Sequence, residues 1–370
     1  MLTEALPMTR FDAPNAAVRG YRPAPHSAHA ARRFPRALLL LVPALALMLA
    51  VWLLLPRAAA PDAQTFALPV QTTLPRQSFS LPDCVQKGFP EGYVLHQLAV
   101  SEVRLREGRM LLIDEGHPLP EGYTPADTLN ILNASGGRAT CRDLSAVLGE
   151  DALDALSAML TAARQEKHMG LVVFAGSRSP EQQRILLTDT LAALSRDMSL
   201  DEALSAARSA VASPGCSEHQ TAWAVDIRVC PQWNGAPLAE SMEESEDGRW
   251  LMENCWRYGF IRRYPRADPR DGSCRAYHLR YVGCAHASLM YALGLSLEDY
   301  LSLLHNQRTL TLYDEASGAP LCSAVCAEAE ARQTLFILPE DASVEDLSLD
   351  NLGFAVVSCV YGATSPTGAP

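Results

Sequence analysis

The chain has no Cys-x-x-Cys pair, no internal repeat and no low-complexity tract, and beyond residue 57 it is short of positive charge. Without a Cys-x-x-Cys pair, and with Cys322-x-x-x-Cys326 standing alone, the sequence does not support a cysteine-built zinc site. Without repeats or low-complexity tracts, a composition that is 48% apolar reads as globular, and 370 residues allow two or three folded units. Residues 1–57 hold seven Arg and two acids, net +5, against −11 for the whole chain; the remainder therefore carries −16. So acidic a remainder argues against nucleic acid or an anionic lipid surface as partner.

Long hydrophobic runs are also scarce, with one exception. Residues 37–55 form 19 uncharged apolar positions, enough to cross a bilayer as a helix, and Pro43 within them is tolerable there. Arg32, Arg33 and Arg36 precede the run, with Arg10, Arg19 and Arg22 further back. That bias predicts a single-pass signal anchor at the cell membrane, with residues 1–36 cytoplasmic and the rest on the outer face. The alternative is a cleaved leader processed near Ala58-Ala59-Ala60, but 36 residues before the apolar run is long for one. Residues 56–82, with Pro61, Pro69 and Pro75, read as a Pro-rich tether reaching up to roughly 80 Å at about 3.1 Å per residue. All ten cysteines follow the apolar run, and an even number outside the cytosol predicts disulfides.

The most informative stretch runs from Pro214 to Ile227. From Ala222 to Val229 the residues alternate, with Trp223, Val225, Ile227 and Val229 on an apolar face and Ala222, Ala224, Asp226 and Arg228 on the other. His219 precedes Asp226 by seven residues, about 23 Å if fully extended, so the chain must fold back for the two to act together. A second strand at residues 276–283 places His278, Arg280 and Val282 on one face. Two imidazoles and one carboxylate make a catalytic zinc set with a position left for water. His117, followed by proline in a turn-rich segment, is a third histidine read as a surface residue.

Around these motifs the pattern predicts an α+β fold in which helices flank a small mixed or antiparallel sheet. Strands are expected at 102–113 and 171–175, and helices at 151–168, from Ser179, at 199–212, at 248–258, near 285–293 and from Ser296. Ser179-Pro180-Glu181-Gln182 is a capping box with proline at the first helical position, so Arg178 sits at a helix N-terminus, where an anion is favoured. From residue 306 onward, short strands at 309–313, 334–338 and 354–358 read as a small β-rich C-terminal appendage. The expected divisions are therefore 1–36, 37–55, 56–82, a catalytic-type domain at 83–305, and 306–370.

Ser217, His219, Ala224, Asp226 and His278 stand where the zinc D-alanyl-D-alanine carboxypeptidases of the VanY type carry Ser-x-His-x-x-Gly-x-Ala-x-Asp and a later Glu-x-Trp-His. The sequence resembles that family over roughly residues 105–305. Further resemblances lie at His117-Pro118-Leu119-Pro120, Gly176-Ser177-Arg178-Ser179, Tyr258-Gly259-Phe260-Ile261 and Leu297-Glu298-Asp299-Tyr300-Leu301. Three positions depart from it: Ala222 replaces glycine, Tyr277 replaces tryptophan, and Arg275 replaces the catalytic glutamate.

The resemblance implies Zn2+ held by His219, Asp226 and His278, with Arg178 and Ser217 as catalytic residues. It also implies a peptidoglycan stem peptide ending in D-Ala, bound by Arg178, Gln183, Ser217 and Tyr277. Arg275 stays protonated and cannot serve as the base. Glu218, next to a ligand, is the nearest carboxylate in sequence. Two functions follow: a membrane-anchored D,D-carboxypeptidase-like peptidase, or a cell-wall-peptide-binding protein whose general base is lost. A purely structural chain is the third reading.

Overall fold

The computed structural model describes residues 79–101, 108–125, 127–230, 242–264 and 277–362. The expected membrane segment at 37–55, the tail before it, nearly all of the tether, and Arg275 lie outside the described residues. Among the described residues no helix is long and apolar enough to cross a membrane.

The chain opens with strands β1 (Val85–Lys87) and β2 (Leu95–Ser101), then β3 (Thr128–Asn130), helix α1 (Ile131–Ala134), β4 (Val147–Gly149) and α2 (Glu150–Gln165). Strand β5 (Leu171–Ala175), helices α3 (Pro180–Leu194) and α4 (Leu200–Ala210), and β6 (Ala224–Val229) follow. Next come α5 (Glu246–Asn254), β7 (Phe260–Arg262), β8 (His278–Tyr281), α6 (Cys284–Leu293) and α7 (Leu297–Gln307). Five strands close the described chain: β9 (Thr309–Tyr313), β10 (Pro320–Glu328), β11 (Gln333–Pro339), β12 (Ala342–Leu349) and β13 (Phe354–Tyr361).

Four strands in the order β5-β6-β8-β7 form the sheet that carries the expected site, and every neighbouring pair in it is antiparallel. Alternation along β6 buries Val225, Ile227 and Val229 against Leu153, Leu156 and Leu160 of α2 and Leu251 of α5. Each such side chain taken from water stabilises the fold by about 1.5–3 kcal/mol. The opposite face of β6 is thereby left to Asp226 and Arg228. Helix α2 begins at Glu150 and places acids in its first turn, where the helix dipole favours them. Ser179 forms the complete capping box its sequence predicts, and Ser199 forms a second one. Helix α5 starts two residues earlier than expected, because the Ser245 hydroxyl accepts the Gly248 N–H.

Three expectations are corrected. The C-terminal strands are not an appendage: β1 pairs with β9, and β2 pairs with β11, so residues from both ends of the described chain share sheets. The larger sheet runs β1-β9-β10-β13-β12, and its apolar face joins α6 and α7 in one core with Met110, Tyr300, Leu304, Leu310 and Val356. Residues 108–113 do not form a strand. Their backbone groups are taken by side chains instead: Met110 N–H by Ser348 Oγ, Leu112 N–H and C=O by the Asn351 amide, and the Arg109 and Leu111 carbonyls by Arg280.

The nine described cysteines form no disulfide. Cys322 and Cys326 lie on one strand, about 13 Å apart at strand rise, and Cys359 faces Ser323 rather than another cysteine.

Candidate functional site

The chain folds back between His219 and Asp226 through a single 3₁₀ turn, Glu218–Thr221, closed by Ala222 in the left-handed region (φ 62°, ψ 14°). This turn brings His219 Nε2 to 3.3 Å from Asp226 Oδ1. His278 arrives by a different route. It is the register partner of Asp226 across β6 and β8, so the two side chains leave the same face opposite one another, with Nδ1 2.8 Å from Asp226 Oδ1. One donor atom from each of His219, Asp226 and His278 lies within 4.8 Å of the others.

The far nitrogen of each ring is also occupied. His219 Nδ1 donates to the Gly176 carbonyl at 2.6 Å; a carbonyl only accepts, so Nε2 is left with its lone pair. Gly176 has to be glycine here, because a Cβ would sit 2.3 Å from the Val147 carbonyl oxygen. His278 Nε2 faces Glu218 Oε2 at 3.1 Å, which turns Nδ1 toward Asp226. Acceptors behind the ligating atoms fix ring orientation and tautomer, as metal-bound histidines require. Two imidazoles and a carboxylate so arranged fit a zinc ion.

Glu218 is a residue whose role the sequence did not disclose. It is buried, with Arg263 Nε at 2.7 Å and Arg280 Nη1 at 3.5 Å, and Arg263 forks onto Glu298 at 2.6 and 3.0 Å. Burial alone would raise its carboxyl, but the two guanidiniums hold it well below the usual carboxylate range. It is therefore a fixed anion that orients His278, not a proton acceptor. His278 feels the opposite balance: burial would lower it, while Asp226 and Glu218 on its two sides raise it. Asp226 is likewise held low by the two histidines, against the effect of burial.

These groups open onto a cavity of about 300 Å³ lined by residues that include Arg178, Gln183, Ser217, Arg228 and Tyr277. Every expected substrate contact is thus in one place. Arg178 Nε is buried without a hydrogen-bond partner, and burial lowers its pKa without discharging it. Gln183 is buried, gives its amide N–H to the Ala212 carbonyl at 2.7 Å, and leaves Oε1 unpartnered. Cys216 also lines the cavity, but burial and Glu115 push its thiol up to about 12, so it stays protonated and is no nucleophile. His117 is not part of this group; its Nδ1 meets Asp114 at 2.8 Å.

A short antiparallel sheet, a folded-back His-Asp turn and an opposed histidine bring together three donors that could hold one metal ion. The family model described as VanY, D-alanyl-D-alanine carboxypeptidase, matches residues 145–284. YodJ of Bacillus subtilis is 32% identical over 198 residues, 52% of this chain and 67% of YodJ. A D-alanyl-D-alanine carboxypeptidase of Enterococcus faecalis is 31% identical over 202 residues, 53% of this chain and 67% of that protein. The chain spans about two thirds of the length of these curated relatives. Among solved structures, the vancomycin-resistance D,D-dipeptidase VanXYg, crystallised with a D-Ala-D-Ala phosphinate analogue, superposes with a TM-score of 0.56. It is 20% identical, covering 72% of this chain and 99% of that one, and shows the fold. The chain belongs to the VanY family of D-alanyl-D-alanine carboxypeptidases.

Proposed function

We propose that this protein is a membrane-anchored, zinc-dependent D-alanyl-D-alanine carboxypeptidase-like peptidase acting on peptidoglycan stem peptides. The observation that carries the reading is the convergence of His219, Asp226 and His278 at the wall of a cavity that also holds Arg178, whose buried Nε has no hydrogen-bond partner. Bound there, zinc supplies Lewis-acid polarisation of a carbonyl and a water of lowered pKa. The Arg178 guanidinium takes the terminal carboxylate of the peptide in a charge-assisted hydrogen bond. Gln183 Oε1 accepts a peptide N–H, and the Ser217 hydroxyl holds the backbone beside it. The outward position of the domain rests on the arginine bias around residues 37–55.

Proton transfer is where this chain departs from its family. Among the described residues lining the cavity the carboxylates are Asp226, a ligand, and Glu218, held by two arginines. Arg275, outside the described residues, stands at the family's glutamate position. Loss of a general base removes about 10²–10⁴ in rate, so turnover is expected to be slow. Arg275→Glu should then raise D-alanine release from a pentapeptide at least about tenfold, with peptide affinity changing less than turnover. The second reading, a wall-peptide-binding protein whose general base is lost, gains only if both forms bind peptide and neither cleaves it. Zinc analysis accompanies the assay: one ion per chain is expected, sharply reduced in His278→Ala. Full zinc content in that variant would remove the ligand assignment.

A further inference from the structure

We propose that Arg228 is a specificity residue that reads a second carboxylate on the peptide, upstream of the terminal one. The inference deepens the peptidase reading above and rests on it. Arg228 follows Asp226 by two residues on β6, so strand alternation directs it to the same face and into the same cavity. Its guanidinium lies 4.2 Å from the centroid of the Tyr277 ring and 5.5 Å from that of Phe174. Two rings within cation–π distance hold the guanidinium by its face, an arrangement that leaves N–H groups for a planar acceptor.

Among the described residues Arg228 has no carboxylate partner, and the two carboxylates that line the cavity are already engaged. Glu218 is held by Arg263 and Arg280, and Asp226 lies between the two histidines. Arg178 is likewise without an acid partner among the described residues, with its Nε buried and unsatisfied. Among the described residues the cavity therefore presents two guanidiniums with no carboxylate in ion-pair contact, Asp226 acting on Arg178 only from a distance, whereas a D-Ala-D-Ala terminus offers one carboxylate. The surplus cation fits a second anion on the ligand. Two sources share that chemistry: the side chain of a diamino diacid immediately before the D-Ala pair, or the free α-carboxylate of a γ-linked glutamate one residue further back.

The test uses the full chain with zinc and two pairs of synthetic pentapeptides. One pair carries diaminopimelate or lysine at the third position; the other carries D-isoglutamate or D-isoglutamine at the second. Both kcat/KM for D-alanine release and Kd by fluorescence anisotropy are measured. The dicarboxylate member of one pair should be favoured about tenfold or more, the scale of a hydrogen bond to a charged group. Which pair responds identifies the source. Arg228→Gln should bring that ratio close to one, and Arg228→Lys should retain part of it. Arg142→Gln serves as the control: Arg142 also stacks on Phe174 but does not line the cavity, so the ratio should persist. A ratio near one in the unmodified protein would overturn the proposal, as would an equal loss on both members of the responding pair in Arg228→Gln. If no peptide is cleaved, the peptidase reading fails, while the binding ratios still decide the role of Arg228.

Discussion

Among the described residues the two largest sheets are both antiparallel but built to different standards. The β5-β6-β8-β7 sheet is small, with strands of three to six residues, and one of its faces carries Asp226, Arg228, His278 and Arg280. In the β1-β9-β10-β13-β12 sheet, β10, β12 and β13 run eight or nine residues. Its buried polar groups are mainly hydroxyls, three of which are linked: Thr311 to Ser323 at 2.6 Å and Ser323 to Tyr361 at 2.7 Å. The difference teaches where each burden lies. Charges are concentrated on the short sheet, and the long sheet supplies much of the structure that holds them.

The link between them is physical. Arg280 reaches from β8 to the carbonyls of Arg109 and Leu111, while the backbone of that segment is held by Ser348 and Asn351. Glu345 on β12 accepts the first N–H groups of α6, from Cys284 and Ala285, just after the His278 strand. The largest expected effect comes from cutting this link. A chain ending at Gln307 loses β9–β13 and the apolar partners of α6 and α7. It should fail to fold, read as loss of cooperative thermal unfolding and rapid proteolysis. A stable truncated domain would mean that the short sheet stands alone.

A smaller change sharpens the comparison inside the short sheet. Glu218→Gln leaves Arg263 and Arg280 buried without their central anion and keeps one acceptor oxygen, for which Arg263 and His278 must compete. Unfolding by denaturant should show a loss of about 3–5 kcal/mol, the scale for breaking a buried ion pair. Zinc affinity should fall about 10–100-fold, the scale for removing a ligand's supporting partner. Unchanged affinity with reduced stability would limit Glu218 to a packing role.

Between the sheets, Asp346 pairs with Arg109 at 3.3 Å, yet burial pushes its carboxyl up to about 6 from 3.8. A raised carboxyl favours the protonated folded state, so folding takes up a proton between those values. The Asp346 contribution to stability should therefore be full below about pH 4, fall by up to about 3 kcal/mol as pH rises to 6, and level off above, opposite in sign to the acid-side loss from Glu218 and Asp226, which are held low. Asp346→Asn should flatten that part of the profile in urea titrations at stepped pH. A profile unaltered by the substitution would assign the pH dependence elsewhere.

The smallest effect concerns Ala222. Its φ of 62° places a Cβ in the left-handed region, where non-glycine residues are strained. Ala222→Gly should raise stability by about 1 kcal/mol, measurable as a shift in denaturation midpoint without a change in slope. A destabilised variant would show that the methyl group contributes more by packing than it costs in strain.

Local pattern was enough to determine several features from the sequence alone. The alternation of residues 222–229 separates the Asp226 face from the core face, and the capping boxes at Ser179 and Ser199 set two helix starts. The histidine on a second strand places His278 on the same side as Arg280. Each of these depends on residues within a few positions of one another, where period and side-chain chemistry act directly. Tertiary structure decided the rest. A roughly 23 Å extended separation between His219 and Asp226 becomes 3.3 Å because of a turn and one strained residue. Glu218 reads as a loop acid beside a ligand until Arg263 and Arg280 arrive from 45 and 62 positions further along the chain. Residues 108–113 look like a strand, but their backbone partners are side chains supplied mainly from the far end of the chain. Strands β1 and β2 found their partners across more than 220 residues. Such pairings depend on which apolar faces and unsatisfied polar groups meet after the chain collapses, and no local period encodes that choice.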